Sequence, residues 1–228
     1  MFHLGIPIIT VSQALGEDIV RFSGNKDLKR YVVPNVADAT TFNCTNTNLP
    51  DPPVFFMMSG WAYPKTPHIP IEAFSRWLTK NPDGQLLIGG YGNLLESMKA
   101  LVVKLNIEKN VQFLGKLEAL EIAKTQNKTS AFLHCSDYET FSVVCAEAIC
   151  CGTPVLASNT GGIPEFIHKD NGLLVAEDSV EAWEKALEDF MKNYASYNRV
   201  QIAKNAAALF DESVIGEQYW EILKNVEM

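Results

Sequence analysis

Several features that would mark a membrane, secreted, nucleic-acid-binding or metal-holding protein are missing from this sequence. No apolar run reaches the ~18–20 residues a membrane span needs, and the first residues lack a basic segment followed by a long apolar core. Lys and Arg form no stripe of the kind that tracks phosphate backbones, and the formal charge of −8 is spread through segments of mixed sign. Nucleic acid is therefore a poor partner. Cysteine occurs in an odd number, as Cys44, Cys135, Cys145, Cys150 and Cys151, four of them in apolar contexts, which points to free thiols. The adjacent Cys150 and Cys151 would point about 100° apart on a helix, and His3, His68, His134 and His168 have no Cys or acidic residue at ligand spacing, so no metal centre is expected. Internal repeats and low-complexity segments are also missing. Two Asn-x-Thr triplets, at Asn43 and Asn127, fit a glycosylation pattern, but without a secretory leader they carry no argument. These absences predict a soluble chain in a cytoplasm with no transmembrane segment.

What is present is apolar residue in quantity, 47% of 228, enough for a sizeable core. It falls in short runs: "IPIITVS" (6–12), "RYVVP" (30–34), "VFFMMS" (54–59), "QLLIGG" (85–90), "VQFLG" (111–115), "AFLHCS" (131–136), "PVLAS" (154–158) and "GLLVA" (172–176). Apolar on consecutive residues, they read as strands covered on both faces. Helical patterns lie between them, at 68–80, 93–105, 117–127, 142–151, 162–168 and 178–193. Strand alternating with helix predicts an α/β fold, a Rossmann-like doubly wound parallel sheet.

Two stretches interrupt the rhythm. "NCTNTNLPDPP" (43–53) is polar and Pro-rich, a linker or domain edge, and "VIGEQYWEILKNV" (214–226) is a long amphipathic helix with no strand after it. The strand, helix and strand before the linker are too few to form a sheet alone and read as the tail of a preceding domain. The expected division is the tail of an N-terminal domain with an interdomain linker over 1–48, a Rossmann-like domain over 49–210, and a C-terminal helix over 211–228.

Ligands of open parallel sheets bind beyond the carboxyl ends of the strands, so the loops after each run carry the functional signal. "GWAYPK" follows the first strand of the domain: Gly60 permits close backbone approach, and Lys65 is either a cation for a ligand or an ordinary solvated loop lysine. Gly89, Gly90 and Gly92 form a flexible corner that is only part of a dinucleotide fingerprint, since Leu95 stands where a further glycine is required. After "AFLHCS", Thr140 or Ser142 can cap the helix "VVCAEAICC", whose free first-turn amides make a natural phosphate site. Glu139 lies just before that helix and Glu147 within it, the single charged side chain between Thr140 and Pro164. An isolated carboxylate in apolar surroundings costs several kcal/mol unless satisfied. Glu147 either reaches a cap or a buried base, or opens onto a cleft where two adjacent ligand hydroxyls, such as a ribose diol, donate to it. Gly161 and Gly162 then turn the chain toward Pro164 and Glu165, good residues for starting a helix.

These residues in this order resemble the C-terminal domain of glycosyltransferase family 4 (group 1), retaining enzymes of the GT-B fold. The signature Glu-x7-Glu, Ala-x-x-x-Gly-x-Pro-Val-x-Ala and Gly-Gly-x-x-Glu is met by Glu139, Glu147, Ala148, Gly152, Pro154, Val155, Ala157, Gly161, Gly162 and Glu165, with Phe141 between the first two. "VVPNVAD", "LLIGGYG" and "VQFLGKL" resemble further family segments, and the last helix resembles the one that returns to the N-terminal domain. The resemblance covers practically this whole chain and about half of a family member. It implies transfer of a sugar, with retention, from a nucleoside-diphosphate sugar to a glycan, lipid-linked or other hydroxyl acceptor, in polysaccharide or glycoconjugate synthesis. It implies no cofactor and no metal, in keeping with the absence of Asp-x-Asp. Any membrane contact would be peripheral, at the inner face through the absent N-terminal domain.

Carried over residue by residue, the resemblance gives Lys65 to the diphosphate and Glu139 to the donor-sugar hydroxyls as the catalytic pair. It gives the phosphate to amides near Phe141, Ser142 and Val143, the ribose to Glu147, and the base to backbone near Lys116 and Leu117, with Gly60 and Trp61 in the donor loop. Trp61 stands where the family usually has Arg, and Thr66 where a Gly usually follows the Lys. The fragment is expected to bind a nucleoside diphosphate weakly and to transfer nothing alone. Readings of another kind are a non-catalytic nucleotide-sugar-binding module, a GT-B epimerase or phosphorylase, and, more distantly, an NAD-dependent enzyme.

Overall fold

A computed structural model of the chain describes residues 6–225. Six of its strands, β3 (Val54–Gly60), β4 (Gln85–Tyr91), β5 (Val111–Gly115), β6 (Ala131–His134), β7 (Val155–Ser158) and β8 (Gly172–Val175), form one sheet in the order β5-β4-β3-β6-β7-β8. All five pairings are parallel. Two shorter strands, β1 (Ile8–Thr10) and β2 (Arg30–Val32), pair in parallel by themselves around α1 (Gln13–Ser23). All eight apolar runs are thus strands, and the central ones are buried along their length, as continuous runs require; β6 and β7 expose no residue.

From β3 the chain runs outward to β5 and then returns to β6 on the other side of β3, so the direction of winding reverses between β3 and β6. The crossover helices divide accordingly. α2 (His68–Leu78) packs on α3 (Leu95–Lys104) and on α6 (Val180–Lys192), while α5 (Val143–Cys150) packs on α4 (Ala119–Gln126) and α7 (Arg199–Phe210). Under α2 lies an aromatic cluster: Phe55 meets Trp77 edge-on with ring centres 5.3 Å apart, and Phe74 and Phe190 close around it. Beside α5, Phe141, Phe166 and Phe210 form a second cluster at 5.1–5.5 Å. All five cysteines are free, and burial pushes the Cys135, Cys145 and Cys150 thiols up to about 12, so they act as small apolar side chains.

Differences from the sequence reading have local causes. The segment 162–168 is a single turn, Ile163–Glu165, because Pro164 starts it and the chain must enter β8 a few residues later. Helix α7 was not anticipated. Its buried Ile202, Ala206 and Phe210 recur every fourth residue behind the capping Asn198, a helical signal masked by the alanines between them. The stretch 43–53 is fastened to the domain: the Asn127 carboxamide accepts from Thr45 N (2.7 Å) and Asn46 N (3.1 Å) and donates to the Asn43 carbonyl (2.9 Å). Asn127 is buried as a clamp and so is no exposed glycan acceptor. The final helix, α8 (Glu212–Asn225), buries Ile215 and leaves Tyr219, Trp220 and Leu223 exposed. His3 and the last residues of the 211–228 segment lie outside the described residues. Among the described residues, no helix is long and apolar enough to cross a membrane.

Arg199 is 2% exposed at the start of α7 and donates to the carbonyls of Thr129 (2.7 Å) and Gln126 (3.2 Å) and to Thr153 Oγ1 (2.9 Å). It faces carbonyls and a hydroxyl, which would be left without donors if it were removed. Arg199→Met is therefore expected to cost about 3 kcal/mol, or roughly 6–12 °C in Tm, measured by thermal unfolding. A shift under about 2 °C would contradict this account of α7.

Candidate functional site

The winding reversal brings the loops after β3 and β6 together, where ligands of such sheets bind. Main-chain bonds tie the two loops: Asp137 N donates to the Pro64 carbonyl (3.0 Å) and Thr66 N to the Cys135 carbonyl (3.2 Å). Between them Lys65 Nζ donates to Glu139 Oε1 and stands 3.5 Å from both Ser136 Oγ and His134 Nε2. His134 Nε2 is 2.8 Å from the same Glu139 oxygen. Lys65 is thus no solvated loop lysine, and burial holds its ammonium below the usual lysine range. His134 is 3% exposed; burial, aided by the Lys65 charge, pushes its pKa down to about 3 and keeps the imidazole neutral. The sequence reading passed over His134 because it sought metal spacing. The available signal was a histidine ending a strand five residues before a motif carboxylate.

Helix α5 begins at Ser142, whose backbone is left-handed (φ 78°) and whose side chain caps nothing. This corrects the expectation of a side-chain cap, which needs an extended cap residue. Cys145 N (3.2 Å) and Ala146 N (3.3 Å) both donate to the Ser142 carbonyl, and the amides of Phe141, Ser142, Val143 and Val144 have no acceptor among the described residues. They are donors at the positive end of the helix dipole, an arrangement suited to an anion. The Phe141 ring is buried among Phe166 and Phe210, so only its backbone is available. Further along, Glu147 is half-buried between the buried Ala146 and Ala148. Its carboxylate has no hydrogen bond or ion pair among the described residues, which removes the cap and the buried base as explanations. Burial alone raises its pKa to about 7.

Facing α5 across the sheet ends is a cavity of about 230 Å³ lined by Ser59, Gly60, Gly90, Lys116, Leu117 and Val144, among others. Gly60, Lys116 and Leu117, named after β3 and β5, thus line one cavity with Val144 of α5, whereas Lys65 and Trp61 stand outside it. Trp61 is 3% exposed and lines no part of this cavity; its indole Nε1 donates to the Gly89 carbonyl (2.8 Å) and its backbone N to the Tyr91 carbonyl (2.7 Å). A donor-binding role for its side chain is therefore corrected: the ring is a packing element of the sheet edge. The glycine corner has the same explanation. A Cβ on Gly92 (φ 146°) would come within 2.2 Å of the Trp61 carbonyl, and one on Gly90 (φ 105°) within 2.0 Å of the Ser59 carbonyl. Lys116 is exposed and pairs loosely with Glu118 (3.3 Å).

Volume alone points elsewhere. Cavities of about 430 and 760 Å³ open at the opposite edge, around His168 and Asn198 and around Asp51 and Lys109. The residues there bond chiefly to their own neighbours, as Asn198 does by capping Gln201 N and Asn110 by holding Pro82 and Gly84. Among the described residues, the acceptor-free amides at the start of α5 and the half-buried Lys65 ammonium lie at the carboxyl edge.

Comparison with known proteins gives the family and the fold. The family model "Glycosyl transferases group 1" matches residues 42–208. A GDP-mannose-dependent monoacylated alpha-(1-6)-phosphatidylinositol monomannoside mannosyltransferase of Corynebacterium glutamicum is 28% identical over 164 residues, 68% of this chain and 42% of that protein. An N-acetyl-alpha-D-glucosaminyl L-malate synthase of Bacillus anthracis is 37% identical over 105 residues, 46% of this chain and 27% of that protein. The chain thus spans less than half the length of the curated relatives it matches. Among solved structures, Anabaena Alr3699/HepE in complex with UDP superposes with a TM-score of 0.83 over 96% of this chain and 64% of that one, at 21% identity, a likeness of fold.

The raised Glu147 pKa has a direction in stability. The folded chain keeps this carboxyl protonated up to about pH 7, whereas the unfolded chain releases the proton near 4.5, so stability falls as pH rises between those values and stays reduced above them. Glu147→Gln is expected to match the parent at pH 4 and to melt roughly 4 °C higher at pH 8 by thermal unfolding. Equal melting at both values would place a partner on Glu147.

Proposed function

Because the chain belongs to the glycosyl transferases group 1 family and carries an α/β fold like the C-terminal domains of GT-B glycosyltransferases, we propose that it is the donor-binding half of a retaining glycosyltransferase. That enzyme moves a sugar from a nucleoside-diphosphate sugar to an acceptor hydroxyl in polysaccharide or glycoconjugate synthesis. The observation that carries the reading is the set of four acceptor-free amides at the start of α5, beside Lys65 and across a cavity from Gly60, Lys116 and Leu117.

In this reading the diphosphate docks on the α5 amides, where aligned dipoles and the half-buried Lys65 ammonium meet the negative charge that grows on the leaving group. Lys65 is then shared between phosphate and Glu139, and Glu139 turns its remaining capacity to the hydroxyls of the sugar. Glu147, deprived of protein partners, accepts from the ribose diol; those hydroxyls replace the water lost on burial and favour its ionised form. Backbone at Lys116 and Leu117 meets the base. The leaving charge is assigned to amides and Lys65, with no metal ion, and groups that act on the acceptor belong to the N-terminal domain that family members carry. Two similar proteins support a nucleotide donor: one is GDP-mannose-dependent, and one structural neighbour holds UDP.

Calorimetric titration of the chain with UDP, GDP and ADP tests the reading. Weak saturable binding of at least one is expected, reduced about tenfold by Lys65→Ala and by Glu147→Ala, since each removes one charge-assisted contact. No heat and no thermal shift with any of the three would overturn it.

A further inference from the structure

His134 lies outside every role given above, yet its buried imidazole touches both members of the Lys65–Glu139 pair. It ends β6 at the point of winding reversal, stacks on Phe132 with ring centres 6.3 Å apart, and is 3% exposed. Its Nε2 is 2.8 Å from Glu139 Oε1, the oxygen that also receives Lys65. An ionised carboxylate offers only lone pairs, so the imidazole nitrogen facing it carries the hydrogen. Two donors therefore converge on Oε1, while Oε2 has no partner among the described residues. Ser136 fixes the turn between them, donating to the Tyr138 carbonyl (2.9 Å).

We propose that His134 is a positioning residue for the donor sugar: its Nε2–H, together with Lys65, locks one oxygen of Glu139 and so presents the other to the sugar hydroxyls. The inference rests on the donor-binding reading above and adds to it a division of labour between the two carboxylate oxygens. When Lys65 turns toward a bound diphosphate, His134 is the donor that remains on Oε1 and keeps Glu139 in place.

The experiment compares nucleoside diphosphates with their sugar adducts, UDP with UDP-glucose, GDP with GDP-mannose and ADP with ADP-glucose, on the parent chain and on His134→Leu, His134→Asn and His134→Gln. Leu and Asn leave no donor at the Nε2 position, whereas Gln restores an N–H there. For the pair that binds, Leu and Asn are expected to weaken the sugar adduct about tenfold while changing the bare diphosphate less than about twofold, and Gln is expected to recover most of the loss. A purely structural histidine would weaken both ligands together, or neither, and either result overturns the proposal. Should Leu fail to fold, the Asn and Gln pair gives the same comparison. A parent chain that binds neither form of any nucleotide fails the donor reading itself. In that case the Nε2–H is still read directly: a nitrogen-15 histidine spectrum with the hydrogen on Nδ1 of His134 overturns the geometry independently.

Discussion

Lys65 and Glu139 hold together two loops that belong to opposite halves of the sheet. The strands on one side of β3 are wound in one direction and those on the other side in the opposite one, so a crevice opens where β3 and β6 lie side by side. Hydrogen bonds from Asp137 to Pro64 and from Thr66 to Cys135 bind the loop backbones across that crevice, and the ion pair joins their side chains. The rest of the site depends on this junction. It fixes where Glu139 points, and through the short connection from Glu139 to Ser142 it fixes where α5 begins. Gly161 shows how tight the fit is: a Cβ there would run into the Glu139 carbonyl, so the next loop of the edge is packed directly on the same residue. The β1–α1 piece leans on it too, with Ser12 Oγ donating to the Thr140 carbonyl (2.6 Å) and the Glu165 carboxylate receiving Gln13 N (3.0 Å) and Ala14 N (2.9 Å).

Beyond the junction, the edge is arranged at the expense of stability. A half-buried carboxylate with no partner, and helix amides with no acceptor, are groups that an ordinary interior would have satisfied. Both stand on α5, whose start follows the loop in which Glu139 holds the Lys65 ammonium. A nucleoside diphosphate would relieve both at once, its phosphate taking the amides and its ribose the carboxylate.

The fold was legible because strands buried on both faces are apolar without interruption, and eight such runs separated by turn residues leave little choice of architecture. The Glu139–Glu147 spacing and the helix start were legible for the same reason: charge is rare in that stretch, so each carboxylate stands out. What escaped notice has equally physical causes. α7 was hidden because alanine contributes weakly to a hydrophobic pattern while packing well on α5. Trp61 was judged by the residue it replaces, when its indole N–H and the glycines around it make it part of the sheet edge. His134 was hidden because its partner comes from the same loop in a turn that sequence spacing alone does not reveal.

The central claim is that ligand binding belongs to the carboxyl edge of the sheet. Amide chemical-shift mapping of the labelled chain with the nucleoside diphosphate that binds tests it most directly. The account predicts the largest changes at Phe141, Ser142, Val143 and Val144, with further changes at Gly60, Lys116 and Leu117. Changes confined to the opposite edge, around His168, Asn198 and Gln201, would contradict it.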